Sequence, residues 1–315
     1  MNVFIAKRLA TFLITMLGTS LIVFMVLEIL PGDPALTILG VDAPDSAVEA
    51  LREKLGLNRP APERYVDWFL GFLTGDLGMS YTYSVPVSEL IGASLYITIP
   101  LALLSMSLTI IIAIAMGVYA AANHNKVGDY GVMGFSQLGI AVPNFWFGIL
   151  LILLLAVEMR WFRSGGFPGW EKDFFGSVKA LVLPAIALAT VQAAILTRVT
   201  RSAILEVSRE DFVRTARAKG LSRRSTLWGH VLRNAMIPMV TIMGVQFANL
   251  LAGTIVIESV FSLPGIGRLI FQSISNRDLV VVMSLTMMLA AMVITVNFIV
   301  DLLYASIDPR IRVNE

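Results

Sequence analysis

The stretch "SREDFVRTARAKGLSRRSTLWGHVLRN", residues 208–234, lies between two long apolar segments. Its reading decides the fold, because it gathers Arg209, Arg214, Arg217, Lys219, Arg223, Arg224 and Arg233 in a chain otherwise poor in charge. The residue order predicts two short helices about a glycine. Ser208 with Asp211 three positions on is a capping-box start, and the acidic charge suits a helix N-terminus. The run "DFVRTARAK" places Phe212, Thr215, Ala216 and Lys219 on a shared face, and Gly220 ends the helix. Ser222 or Ser225 can cap a second helix, which holds Leu227, Val231 and Leu232 and feeds into the next apolar run near Pro238.

The flanks are lipid-soluble. Of 315 residues 57% are hydrophobic and 15% charged, with a mean hydropathy of +0.78; a soluble domain carries about 25% charged residues. The apolar excess is therefore surface for lipid. Six stretches have the length and composition of a membrane helix: residues 9–30, 95–122, 132–157, 180–199, 237–260 and 280–304. The first is too long for a signal-peptide core, and "VLEILPGDP" offers no small-x-small cleavage site, so it reads as a retained anchor. In the fourth, Pro184 is expected within the first turn or two, where its missing N–H does least harm.

Lysine and arginine near the span ends give the orientation. Lys7 and Arg8, the loop from Arg201 to Asn234, and Arg310 with Arg312 share one side if there are six crossings. The net acidic segment 31–94 and the short loops 158–179 and 261–279 take the other. This predicts an all-α polytopic membrane protein with both termini cytoplasmic. It is read as a single domain, 1–315, with an extracytoplasmic segment 31–94 and a cytoplasmic loop 201–235. Within the extracytoplasmic segment, Asp45 is expected to cap a helix with Val48, Leu51 and Leu55 on one face, ended by Gly56. "ERYVDWFLGFL" places Val66, Phe69, Leu70 and Leu73 at helical spacing; with Tyr65 and Trp68 it reads as a helix lying on the membrane interface.

Several chemistries are excluded. A net charge of +2 gives no global field for nucleic acid. With no cysteine there are no disulfides, thiolate metal sites or cysteine nucleophiles. The chain has no Walker cradle for ATP, no G-x-S-x-G and no H-E-x-x-H. His124 and His230 lie far apart in loops, which supports no metal site, and no cofactor or catalytic residue is expected. The chain is not read as an enzyme. Energy for work on a solute must come from another polypeptide.

Ionisable groups at membrane depth cost roughly 2.5–3.5 kcal/mol on insertion scales. Glu28 and Glu258 fall near the outer ends of spans one and five, and Asp301 near the inner end of span six. They either reach the interface or a neighbouring helix cap, or, for Glu28 and Glu258, line an outer gate. Gln137, Asn144, Gln192, Gln246, Asn249 and Asn297 either line a passage or form interhelical hydrogen bonds. Glu28, Gln246, Asn249 and Glu258 are the candidate pathway or gate residues. No Asp/Glu/His chain suits a proton relay, which disfavours a stand-alone secondary carrier; a channel or a membrane scaffold are the other classes considered.

The arginine-rich loop has three readings. A topological anchor needs arginines but not two capped helices. A helix-turn-helix for DNA is disfavoured, because both ends are tied to spans and cannot reach a major groove. A docking element for a soluble partner fits best: small residues at Ala216, Ala218 and Gly220 allow close approach, and Arg214 and Arg217 supply charged anchors.

The stretch resembles the cytoplasmic EAA loop of ABC-transporter permeases, in the form used by the dipeptide, oligopeptide and nickel permease family. The likeness covers nearly the whole chain: "LPGDPA" at 30–35, "LGLNRP" at 55–60, "GDLGMS" at 75–80, "DFVRTARAKGLS" at 211–222, "LRNAMIP" at 232–238, "ESVFSLPGIGRL" at 258–269, "NRD" at 276–278 and "VDLLYASIDPRIR" at 300–312. The resemblance implies a type I ABC importer permease fold in a bacterial inner membrane. It implies pairing with a second, similar permease subunit, two ATP-binding ATPase subunits, and an extracytoplasmic solute-binding protein. By the match the ATPase-coupling helix comprises Asp211, Phe212, Arg214, Thr215, Ala216 and Arg217, with Gly220 as its turn. The general pattern has Glu-Ala-Ala before the glycine; here Arg214-Thr215-Ala216 stands instead, a variant common in the peptide-type branch. The expected solute is a di- or oligopeptide, with nickel, glutathione or an oligosaccharide as the alternative. "GDLGMS" and "SLPGIGRL" are either contacts for the binding protein or the outer gate, or turns fixed by glycine and proline.

Overall fold

The computed structural model describes residues 2–29, 34–40, 42–54 and 56–307. The expected Leu55, most of "LPGDPA", and Arg310 and Arg312 lie outside the described residues. Among the described residues all regular structure is helical: α1 (Asn2–Ile29), α2 (Pro34–Leu39), α3 (Asp45–Lys54), α4 (Ala61–Thr74), α5 (Val87–Ala122), α6 (Val127–Ala141), α7 (Asn144–Leu151), α8 (Phe174–Val207), α9 (Asp211–Ala218), α10 (Arg223–Thr226), α11 (Leu232–Val260), α12 (Ile266–Ser275) and α13 (Leu279–Ile307). A π-helical turn, Ile152–Glu158, continues α7, and another, Leu227–Val231, joins α10 to α11.

Among the described residues five helical runs are long and apolar enough to cross a membrane: Ile5–Val26, Val87–Ala122, Phe174–Val207, Arg223–Val260 and Leu279–Leu302. The sixth expected span, 132–157, is not a straight rod. It is divided into Val127–Ala141 and Asn144–Glu158, bent by 98°. Pro143 explains the break. A proline disfavours the helical conformation of the residue before it, and Val142 is extended, with φ −90° and ψ 122°. Proline is better tolerated in α8, which begins at Phe174 with Asp173 as its cap, so Pro184 sits in the helix interior and not in the first turns. Its missing N–H leaves the helix continuous there, in a segment packed on all sides by other helices.

Two helical runs exceed what lipid requires. Phe174–Val207 has 34 residues and Arg223–Val260 has 38, roughly 51 and 57 Å at 1.5 Å per residue, against a hydrocarbon core of about 30 Å. Both overshoot, and the short loop between them carries α9. Large apolar side chains such as Ile14, Leu103, Ile111 and Leu154 are exposed along the spans, as expected where lipid replaces a protein neighbour. Trp161 in the segment before α8, and Phe174 and Phe175 in its first turn, are exposed, where aromatic rings suit the headgroup level.

The contacts divide the chain into two compact units. One holds residues 99–263 with the described residues of 1–8 and 295–315; the other holds 9–98 and 264–294. The first is organised about α8, whose buried face is rich in small residues (Ala185, Ala187, Ala189, Ala193, Ala194), so α6, α7 and α11 approach it closely. Gly117 of α5 also packs closely on α8: a Cβ there would come 2.5 Å from Thr200 Cγ2 and 3.1 Å from the Thr197 carbonyl. In the second unit Val87, Ile91, Ile266, Leu269, Val281 and Leu285 form the core.

The interfacial helix α4 forms as its periodicity predicts, with a different division of faces. Tyr65, Trp68 and Phe69 are half-buried, with Tyr65 edge-on to Phe24 of α1 and Trp68 tilted against it at ring separations of 5.4 and 6.1 Å. Val66, Leu70 and Leu73 stay exposed. In α3, Val48 is buried as expected, but Asp45 is not the cap: the Pro44 carbonyl accepts the first helical hydrogen bonds, from Ala47 and Val48. Asp45 lies in the first turn, where its charge still suits the dipole.

Candidate functional site

The arginine-rich loop folds into the two-helix knuckle its sequence predicts, with one cap corrected. Ser208 does not open α9. Its Oγ donates to the Ile204 carbonyl at 2.6 Å, completing the last turn of α8, and Glu210 holds the cap position without a side-chain bond. The hydroxyl found the nearer helix end first. Ser222 is the second cap, accepting from the Ser225 N–H at 3.2 Å. Gly220 has φ +90°, and a Cβ there would meet nothing within 4 Å, so only the backbone conformation demands glycine.

The face of α9 that holds it down was missed. Val213 is buried in a cluster with Val118 and Ala121 of α5, Ala203 and Ile204 of α8, and Val231, Leu232 and Ala235, and Ala216 is buried beside it on α9. Ala216 was expected on the face offered to a partner; it turns inward because its shared spacing with Val213 puts both on the apolar stripe. The outward face is Asp211, Phe212, Arg214, Thr215 and Arg217, with Ala218 and Lys219. Asp211 is 93% and Arg214 77% exposed in their side chains, joined only by a 3.4 Å contact; such a pair contributes about 0–1 kcal/mol. Phe212, a large ring, is 41% exposed beside them. A helix seated by its own apolar stripe presents two guanidinium groups and an aromatic ring to whatever lies beyond.

Beside the knuckle is a clasp that the sequence reading did not find. Asp129, in the first turn of α6, is 1% exposed and is gripped by Arg201 of α8, with Nε donating to Oδ1 at 2.5 Å and a terminal nitrogen to Oδ2 at 2.6 Å. The Asn125 N–H donates to the same carboxylate at 3.0 Å, and His124 Nδ1 lies 3.2 Å from it. This bidentate geometry ties the start of α6 to the C-terminal part of α8. The signal was an acid placed among the basic residues that dominate that side of the chain.

The candidate pathway residues separate into different settings. Glu28 is paired with Arg64 of α4. Glu258, in the last turn of α11, is completely buried. Asp301 pairs with Arg8 at 2.9 Å. Gln246 is 3% exposed, and its Oε1 accepts from Asn249 at 3.3 Å. Helices α8 and α11 run antiparallel: a Cβ on Gly253 would lie 3.2 Å from the Leu188 side chain, while Ile204 shares a cluster with Ala235. Four residues along each helix from that contact (188 + 4 and 253 − 4), Gln192 comes level with Asn249. Among the described residues Gln192 Oε1 and Gln246 Nε2 are buried without a hydrogen-bond partner. The structure thus pairs Gln246 with Asn249, and the helix offsets set Gln192 about level with that pair on the facing helix, a polar seam along α8 and α11; Gln137 on α6 and Asn297 on α13 are exposed, and Asn144 is half-buried with its Oδ1 accepting from the Phe145 N–H. Among the described residues no group of three or more His, Cys, Asp or Glu is placed to hold a metal ion.

The motifs "GDLGMS" and "NRD", some 200 positions apart, meet in one joint. Ser80 Oγ donates to Asp278 Oδ2 at 2.6 Å, the Thr82 N–H donates to the same oxygen at 3.0 Å, and the Val281 N–H lies 3.4 Å from Oδ1. Ser284 Oγ donates to the Leu77 carbonyl at 3.4 Å. Burial, and then the Asp278 carboxylate, push the Tyr81 phenol above its ordinary pKa. In "ESVFSLPGIGRL", the Ile266 N–H donates to Thr98 Oγ1 at 3.0 Å, and the Phe261 carbonyl accepts from Gly166 at 3.0 Å.

With this geometry in view, comparisons with known proteins agree. Residues 113–313 match the model of the binding-protein-dependent transport system inner membrane component, and residues 1–102 match the N-terminal region of such membrane components. A putative peptide transport system permease protein of Brucella abortus (strain 2308) is 41% identical over 99% of both chains. The oligopeptide transport system permease protein AppB of Bacillus subtilis (strain 168) is 39% identical over 99% of this chain and all of its own length. A di/tripeptide transport system permease protein, DppB of Pseudomonas aeruginosa (strain UCBPP-PA14), is 39% identical over 98% of both. In fold, 70% of the chain superposes on 97% of a chain of the MetNI methionine ABC transporter in an inward-facing conformation, with a TM-score of 0.55 at 16% identity. The helical knuckle between two overlong membrane helices and the match along nearly the whole chain lead to one conclusion: the protein belongs to the family of inner-membrane permease components of binding-protein-dependent transport systems.

Proposed function

We propose that the chain forms half of the solute pathway of an ABC importer for di- or oligopeptides and receives the ATPase stroke through α9. The observation that carries this reading is the division of α9 into two faces. Val213 fixes it to the ends of α5, α8 and α11 with Ala216 also turned inward, and Phe212, Arg214 and Arg217 face outward. A force on the outward face is thereby applied to rods that extend through the membrane. A loop that only fixed topology would need the arginines but not the buried stripe.

The relatives named for peptide transport support the solute class. The polar seam at Gln192, Gln246 and Asn249 supports a role in the pathway, since uncharged polar groups at membrane depth require a hydrogen-bonding partner or a wet lumen. In this reading a second permease subunit covers that side, two ATPase subunits bind the knuckle, and a binding protein delivers solute from the opposite face. In this reading both termini are cytoplasmic, which the distribution of arginine and lysine supports. ATP is hydrolysed by the separate subunits.

Gly220→Val tests the coupling role. A β-branched residue at φ +90° strains the turn by about 1–2 kcal/mol without a steric clash. The variant is expected to insert at normal levels while peptide uptake falls and ATP hydrolysis continues. Uptake equal to the unmodified protein removes α9 from the mechanism.

A further inference from the structure

A cavity of about 410 Å³ opens on α8 between α6 and α11. Ile140, Ile195 and Pro238 supply apolar walls, and Arg198, Ser202 and Glu206 supply the polar groups. These three are four residues apart, so they form one ridge along α8. Arg198 and Glu206 are eight residues apart, about 12 Å along the helix axis. Both side chains are exposed, and among the described residues no ion pair engages either. Arg201, three positions away, shows the alternative, since its guanidinium is committed to Asp129.

Arg198 by itself is satisfied as a topological anchor near the end of a span. That account leaves out Glu206, because acidic residues contribute little to orientation. It also leaves out the apolar walls between the two charges. Opposite charges at the ends of an apolar slot of this volume have the form of a ligand site. The matching ligand is amphipathic in the same order: a carboxylate, an uncharged middle and an ammonium. An extended chain of three or four residues reaches about 10–14 Å at 3.3–3.6 Å per residue. A phospholipid headgroup of the ethanolamine type carries its phosphate and ammonium across a two-carbon link, too short to bridge the ridge.

We propose that this groove is a permease-borne subsite for a zwitterionic peptide of three or four residues, its carboxylate at Arg198 and its ammonium at Glu206. The inference rests on the peptide-importer reading above and adds a contact within the permease to the selection made by the binding protein. Arg198 grips the carboxylate as a planar fork, Glu206 accepts from the ammonium, and Ser202 lies between them for the peptide backbone.

The test uses the complete transporter, with its ATPase subunits and binding protein, in two sets of vesicles, one rich in phosphatidylethanolamine and one without it. Tri-alanine uptake and peptide-stimulated ATP hydrolysis are measured together for R198Q, E206Q and the exchanged pair R198E/E206R. Loss of one charge-assisted contact is expected to lower uptake about tenfold in each single variant. Stimulated hydrolysis should stay within about twofold, since the binding protein and α9 are unaltered. The exchanged pair should recover uptake, because the peptide can lie in the reverse direction. Unchanged uptake in both single variants overturns the groove alone, as does uptake that falls in step with hydrolysis. Losses that follow the phosphatidylethanolamine content assign the site to lipid and overturn it too. If the unmodified transporter takes up no peptide, the importer reading and the groove fall together.

Discussion

At the joint, Asp278 gives its carboxylate to the Ser80 hydroxyl and the Thr82 N–H, and both Asp278 and Ser80 are buried. At the knuckle, Asp211 and Arg214 extend into open space with one long contact between them. Both are short polar insertions between apolar helices, and both carry motif residues. The difference teaches what each is for. A buried carboxylate with every neighbour arranged around it holds the protein to itself. An exposed guanidinium on a rigidly seated helix contributes almost nothing to folding, so its place must be explained by something outside the chain.

The sharpest way to break the comparison is Asp278→Ala. It removes the buried acceptor for the Ser80 hydroxyl and two N–H groups, an expected loss of about 3–4 kcal/mol. The apparent Tm of the protein in detergent should fall by several degrees, and an unchanged Tm would show that the joint is not structural. Asp129→Ala comes next. It leaves Arg201 without its bidentate partner; because Arg201 retains 20% exposure, the expected loss is nearer 2–3 kcal/mol than the full cost of an isolated buried charge. The contrast with Arg214 is then direct, since the same residue type thirteen positions later is expected to be neutral for stability. Asp129→Asn should recover part of the loss by keeping the Arg201 contact without its charge.

Val213→Ala probes the seat of the knuckle rather than its outward face. Two methyl groups are lost from a site 1% exposed, with an expected cost of about 1–2 kcal/mol. The loss should be local, appearing as faster hydrogen exchange over residues 211–220 while the spans keep their protection. Exchange that rises equally in α8 and α9 would mean the helix is not a separate unit docked on the rods.

Much of this architecture is legible in the residues. Long apolar runs announce the spans, and Gly220 and Ser222 punctuate the knuckle where the structure has its turn and cap. The failures share a cause: each depended on where another segment lies. Ser208 was read as a start because Asp211 follows it, yet the end of α8 is a closer use for its hydroxyl. The span over 132–157 was read through Pro143, because composition tests count apolar residues and do not register a backbone that cannot remain helical before proline. Asp129 and Arg201 are 72 positions apart, and Ser80 and Asp278 are 198; no periodicity connects them. The polar seam was half visible, since its members were each noted as polar in a span, but their level on facing helices belongs to packing.

The smallest expected effect on stability is the most informative. In Arg214→Ala with Arg217→Ala, both guanidinium groups leave the outward face of α9, and the only contact altered is the 3.4 Å approach to Asp211. Exposed pairs of this kind contribute at most a few tenths to about 1 kcal/mol, and alanine favours the helix, so Tm should move by less than the scatter between preparations. Binding should respond differently. Guanidinium groups at the edge of an interface govern association and its salt dependence, while the apolar ring of Phe212 supplies area. Copurification of an ATPase with the double variant should therefore be lost at moderate salt and partly regained at low salt. A stability change as large as that of Val213→Ala would place these arginines with the joint, as groups the protein needs for itself. Unchanged copurification at all salt concentrations would leave the exposed face of α9 without the partner that its shape requires.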